Sequence, residues 1–303
     1  MSVLLVFVDG VGLGPAGPDN PLSTLDLPAF ERLAGGQRWT AEAGPVRRPR
    51  HVFVPVDATL GVEGLPQSGT GQAALFTGEN AARIHGRHYG PTPPTTVRPT
   101  VAERGVFARL VAGGVALDRL AFANAYPDRF FSSVRSTGRW TATTLAASAA
   151  GVPLRGEADV ARGTALPADL TGETWARLID PERTPTTEAE AARRLAGIAQ
   201  DHAFTLSEYF LTDKAGHSRE PDQAATVLRS LDRFFGALLD ALGDGALLVV
   251  TSDHGNLEDL STKSHTRHPV PLAAWGPGAG AFADARSLLD VTPRVVDLVA
   301  GTL

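Results

Sequence analysis

A chain of 303 residues with a formal net charge of −5 lacks the basic footprint that nucleic acid selects, and its 43% hydrophobic and 20% charged content is that of an ordinary globular protein. The absence of cysteine excludes disulfides, thiolate zinc sites and a cysteine nucleophile together. No window approaches the ~20 apolar residues of a membrane span, so a cytoplasmic location is expected, with neither nucleic acid nor membrane as partner.

In chain order, residues 3–8 form an apolar run that ends in Asp9-Gly10. With no positive charge before it and an acid directly after, it reads as a first core strand rather than a signal peptide. A Gly-rich turn, Ser68-Gly69-Thr70-Gly71, precedes a helical pattern starting at residues 72–76. Residues 101–111 have amphipathic helical spacing closed by Gly113-Gly114, and 120–123 read as the following strand. Helices are expected over 189–199, 224–242 and 292–299, with a strand over 204–211 running into Asp213. The alternation specifies an α/β fold: a doubly wound, mostly parallel sheet flanked by helices. Residues 127–185 break the rhythm with Gly, Thr, Arg and Pro. They are expected to form a small inserted cap on a core of 1–126 and 186–303, the insertion beginning as early as the Pro-rich run at 91–94.

The densest chemistry lies near the C-terminus. The apolar run 246–250 leads into Asp253-His254-Gly255-Asn256, and His265 stands just before a second apolar segment, 270–275. Three of the eight histidines fall in this stretch. Open α/β sheets place their sites at the carboxyl ends of strands, and Asp9 also follows a strand. Asp213 and His217, four apart after another strand, share a face on a helical turn. Three carboxylates and three imidazoles at strand ends suit two divalent ions, Zn²⁺ or Mn²⁺, about 3.5–4 Å apart. Such a pair stabilises both oxygens of an in-line phosphoryl displacement. The nucleophile is then expected at another strand-to-helix turn, where Thr70 is a hydroxyl flanked by glycines; its alternative role is that of a helix cap. Arg83, His88 and Lys214 are candidate contacts for an anionic substrate, and Arg129, Arg135 and Arg139 lie in the expected cap. His268 is read as a supporting or solvent-facing residue.

The Asp9-Gly10 start, the turn around Thr70, Asp213-x-x-Gly216-His217, Asp253-His254-Gly255-Asn256 and His265-Thr266-x-x-Pro269-Val270-Pro271 together resemble the alkaline phosphatase superfamily. Within it, the resemblance is to the branch of cofactor-independent phosphoglycerate mutases and phosphopentomutases, and it covers roughly the first 90 and the last 110 residues. It implies a phosphorylated-hydroxyl intermediate between two divalent ions. One ion would be held by Asp213, His217 and His265, the other by Asp9, Asp253, His254 and the nucleophile Thr70. Two departures stand out: those mutases carry a far larger inserted domain, and an acidic residue after a serine where this chain has Gly71.

The expected function is therefore metal-dependent phosphoryl transfer on a small phosphorylated metabolite through a phosphothreonine, as phosphatase or phosphomutase. Alternatives on the same residues are a phosphodiesterase, a phosphonate-acting hydrolase or a non-catalytic metal-binding protein. A sulfatase is excluded, because residues 70–73 lack that group's modified-nucleophile signature. No G-x-G-x-x-G follows the first strand, and Asp9 stands where a dinucleotide pyrophosphate would lie, which excludes a dinucleotide-binding oxidoreductase.

Overall fold

A computed structural model describes residues 1–301. Seven strands, β1 (Ser2–Val8), β2 (Val46–Arg48), β3 (His51–Val56), β4 (Leu120–Phe122), β5 (Phe204–Tyr209), β6 (Ala246–Thr251) and β7 (Val270–Trp275), join one sheet in the order β2-β3-β7-β6-β1-β5-β4. The β4, β5, β1 and β6 strands run parallel. Beyond β6 the sheet is antiparallel, through β7, β3 and β2.

The sequence explains the burial. In β1, Val3, Leu5 and Phe7 enter the core on one face, while Leu4, Val6 and Val8 enter the core on the other, following the two-residue period of a strand. Uninterrupted apolar runs in β1 and β6 are what a strand needs when helices cover both its faces. The helices flanking the sheet are α1 (Ser68–Thr77), α2 (Arg98–Arg104), α3 (Val106–Ala112), α4 (Asp128–Thr137), α5 (Ala142–Ala149), α6 (Glu188–Asp201), α7 (Leu211–Ser218), α8 (Pro221–Ala241) and α9 (Val291–Ala300). Buried residues of α1, α2, α3, α5 and α9 pack on the Leu5 face, and those of α6 and α8 on the Leu4 face. None of the described helices is long and apolar enough to cross a membrane.

The helix expected over 101–111 is two helices, α2 and α3, because Gly105 between them is extended (ψ 154°). The helix expected from 189 begins at α6 with a capping box, in which Thr187 and Glu190 satisfy each other's backbone N–H. Residues 127–185 contain α4, α5 and the short helices Glu157–Arg162 and Glu173–Leu178. Within this stretch Ala142, Ala146 and Ala147 of α5 belong to the sheet core, whereas Val160, Ala165 and Trp175 form a small cluster with Ala125.

The register decides where the chemistry gathers. Val8 lies beside Tyr209, and Phe7 beside Thr251, so β1, β5 and β6 end at one edge of the sheet. Asp9, α7 and the Asp253-His254 loop leave from that edge.

Candidate metal centre and nucleophile

Asp9 is followed by Gly10, whose φ of +69° turns the backbone away at once. A Cβ at Gly10 would lie 2.8 Å from Asp213 Cβ, so glycine also permits the close approach of β1's end to α7. Asp213 and His217 are one turn apart on α7, with His217 Nε2 3.4 Å from Asp213 Oδ2. His265 brings its Nε2 to 3.6 Å from Asp213 Oδ1 and 3.2 Å from His217 Nε2. His254 Nε2 lies 3.3 Å from Asp9 Oδ1 and 3.5 Å from Asp253 Oδ2. Two ligand sets result, Asp213/His217/His265 and Asp9/Asp213/His254, each with its donor atoms within 4.8 Å of one another. Asp213 is common to both, and Asp253 adjoins the second.

Each ring is aimed from behind. The Nδ1 of His265 meets the Pro66 carbonyl at 2.8 Å, and the Nδ1 of His217 meets the Lys263 carbonyl at the same distance. A carbonyl accepts only from N–H, which puts the proton on Nδ1 and leaves the inward Nε2 with a lone pair.

This donor set is electrostatically incomplete by itself. Asp9 Oδ1 and Asp253 Oδ2 are buried with no hydrogen-bond partner. Burial, with Asp253 beside it, pushes the Asp9 carboxyl well above the usual range, and burial plus Asp213 pushes Asp253 up to about 7. Burial holds His254 and His265 down to about 4. Buried carboxylates that resist ionising beside imidazoles that resist protonation lack a cation, and this oxygen and nitrogen set suits Zn²⁺ or Mn²⁺. Metal binding must then displace the Asp253 proton below pH 7. Affinity for Mn²⁺ or Zn²⁺ is expected to fall about tenfold per pH unit or more between pH 7 and 5. Competition with a fluorescent chelator checks this; a flat profile would contradict the charge balance.

Further side chains hold the ligands in place, among them Gln72, Thr212 and Glu258, which the sequence motifs did not single out. Asn256 Nδ2 donates to Asp213 Oδ1 at 2.7 Å, Gln72 Nε2 to Asp9 Oδ2 at 3.1 Å, and the Thr212 hydroxyl to the Asp9 carbonyl at 2.6 Å. Glu258, buried, accepts the N–H groups of Gly12 and Asn256 at 2.8 Å each, with Thr266 and His268 also bonded to it. Burial acts to raise its pKa, but the His268 and Thr266 hydrogen bonds outweigh it and hold the carboxyl low. His268 is thus a partner of Glu258. Glu258→Ala leaves two buried N–H groups unpaired, and we expect a loss of ~2–4 kcal/mol of stability, read by urea denaturation. A loss within 0.5 kcal/mol, as for an ordinary surface change, would refute the hub.

The structure does not bring Thr70, the expected nucleophile, to the metal-ligating groups. Thr70 is fully buried; its hydroxyl accepts the Tyr89 N–H at 3.1 Å and faces the Gln67 and Tyr89 carbonyls at 3.3 and 3.4 Å. It pins the 89–92 segment to α1 and does not join the metal-ligating groups. Ser68, the first residue of α1, places its Oγ 3.0 Å from His254 Nε2. Residues two apart on a helix point about 200° apart, so only one of the two hydroxyls can face the cluster. Gly71 lets α1 lie flat on the Asp253 loop, since a Cβ there would be 2.9 Å from the Asp253 carbonyl oxygen.

A cavity of about 670 Å³ opens over Asp9, Ser68 and Asp213. Lys214 and Arg129 line it; Arg83 and His88 do not. Arg83 is exposed on the short helix Ala81–His85, and the ring of His88 holds the Thr59 and Val62 carbonyls through Nε2 at 3.1 and 3.3 Å. The structure thus brings neither of these two expected substrate contacts to this cavity.

Residues 178–300 match a family model described as the metalloenzyme superfamily. The 2,3-bisphosphoglycerate-independent phosphoglycerate mutase of Halobacterium salinarum is 30% identical over 146 residues, 42% of this chain and 28% of that protein. The phosphopentomutase of Anaeromyxobacter sp. (strain K) is 43% identical over 65 residues, 22% of this chain and 17% of that protein. The chain thus spans less than a third of the length of these curated relatives. The alkaline phosphatase from the Antarctic bacterium TAB5 shares the fold, with a TM-score of 0.53 at 12% identity, covering 99% of this chain and 97% of that one. The metalloenzyme match, the mutase relatives and this shared fold together point to the alkaline phosphatase superfamily.

Proposed function

We propose that the protein transfers the phosphoryl group of a small phosphomonoester through a phosphoserine at Ser68. The observation that carries this reading is the Ser68 hydroxyl, 3.0 Å from His254 Nε2 inside a cluster of buried carboxylates and imidazoles. Divalent ions held by Asp213, His217 and His265, and by Asp9, Asp213 and His254 with Asp253 adjoining, would neutralise phosphoryl charge and acidify a nearby hydroxyl. Ser68 Oγ attacks phosphorus, and its bond forms as the ester P–O bond breaks in line. The proton that Ser68 loses is balanced by the one the departing alcohol oxygen gains. Asn256 and Gln72 fix the carboxylates of Asp213 and Asp9, so the donors need no rearrangement during the step. Lys214, at the cavity wall, adds positive charge beside the phosphoryl position.

Within residues 127–185, α5 packs into the sheet core, and α4 is proposed as the part of the cap that walls the site. A mutase must keep water from its phosphorylated serine. A cap this small favours water as the final acceptor, and hence hydrolysis. The test is p-nitrophenyl phosphate turnover by metal-stripped protein resupplied with Mn²⁺ or Zn²⁺, run beside bis(p-nitrophenyl) phosphate. Metal-restored monoester turnover and an 80 Da adduct on Ser68 after acid quench are the expected results. Turnover of the diester alone would replace this reading with a phosphodiesterase.

A further inference from the structure

The cavity over Ser68 is much larger than a phosphoryl group needs, and much of its wall is aromatic, with Lys214 Nζ 4.9 Å from the Phe210 centroid. Tyr126 and Phe130 stack with centroids 4.2 Å apart at 29°, and Phe210 and Pro91 also line the cavity. Arg129 and Ser133 line it from α4, while the polar groups of Tyr126, Thr141 and Glu208 are already engaged. The Tyr126 hydroxyl is bonded to Glu208 Oε1, and the Thr143 hydroxyl donates to Glu208 Oε2 at 2.6 Å. Thr141 shares its hydroxyl with Thr143 and Thr144 at 3.0 and 2.6 Å. With its hydroxyl held inward, Tyr126 has only its ring to offer as wall.

A polyhydroxylated sugar placed here would bury hydroxyls against rings and lose their hydrogen bonds to water. An apolar or aryl group would gain burial and ring contact instead. We propose that the protein selects phosphomonoesters of apolar, aryl-bearing alcohols, the ring seated against Phe130 and Phe210. This rests on the reading of the Asp9–Ser68–Asp213 end as the phosphoryl site.

Non-hydrolysable probes separate the two readings. Calorimetry on the Mn²⁺-loaded protein would compare 3-phenylpropylphosphonate with propylphosphonate, which share the anionic head and differ in the ring. The ring is expected to tighten binding about tenfold or more. Phe130→Ala, and independently Phe210→Ala, should each shrink that ratio at least about threefold, so a folding defect in one leaves the other as a test. Turnover of 3-phenylpropyl phosphate, propyl phosphate and glycerol 3-phosphate should rank in that order of kcat/KM, since the first two have alkoxide leaving groups of similar basicity. Equal binding of both phosphonates would overturn the aryl pocket and leave the phosphoryl site standing. Binding of neither would overturn both.

Discussion

Ser68→Ala is expected to lower kcat/KM for p-nitrophenyl phosphate by about 10³-fold or more, with the fold and the metal content retained. The hydroxyl is the group the cluster surrounds, and alanine fits the first turn of α1 without strain. Thr70→Val should act on stability first. It removes the acceptor for the Tyr89 N–H from a fully buried position, which costs ~1–2 kcal/mol. Thermal melts and initial rates on the same two preparations distinguish the positions. If Thr70→Val proved inactive while Ser68→Ala kept its rate, the assignment of the nucleophile would be reversed.

Asp213→Ala is expected to be the most damaging change among the metal-ligating residues, because Asp213 belongs to both ligand sets whereas His217 belongs to one. Elemental analysis after dialysis should find the full complement of two ions per chain in the parent and one in His217→Ala. In Asp213→Ala it should find well under one. Activity should follow, with Asp213→Ala falling at least about 10³-fold, further than the 10–100-fold typical of losing a merely supporting residue. Asn256→Ala belongs in that supporting class, since Asn256 donates two hydrogen bonds to Asp213 and is in neither ligand set. If Asp213→Ala still bound one ion tightly, the two sets would not share this carboxylate.

The residues that converge were readable because each obeys one rule. Asp9 directly follows an apolar run that reads as a buried strand, Asp253 and His254 come just past the end of another, and Asp213 and His217 follow a third on a helical turn. Ser68 was hidden because both hydroxyls of the Ser68-Gly69-Thr70-Gly71 turn satisfy the same local pattern. Which of them faces the strands depends on where α1 starts, and that is set by Tyr89 and Gln67 holding Thr70 from behind. Arg83 and His88 misled for a related reason. They follow α1 closely in the chain, but the short helix Ala81–His85 and the Thr59 and Val62 carbonyls take them to the other side of the turn. Nor did the sequence reveal α4, whose Phe, Ser, Val and Thr residues have middling helix propensity and whose buried contribution is Val134. Glu258 has no motif at all; its role arises from four groups at Gly12, Asn256, Thr266 and His268, which the fold brings together.

Apart from Phe210, which precedes α7, the metal-ligating residues and the aromatic wall hang from different parts of the molecule. The ligands project from the ends of β1 and β6, from α7, and from the loop before β7, whereas Tyr126 and Phe130 stand on the connection leaving β4 and on α4. Chemistry and selectivity can therefore drift independently. Substitutions in residues 126–141 are free to retune which alcohol is accepted, while the strand ends keep the reaction constant. A library confined to that short stretch should yield variants with new preferences at nearly the parental metal content, which makes it the natural place to redesign the protein.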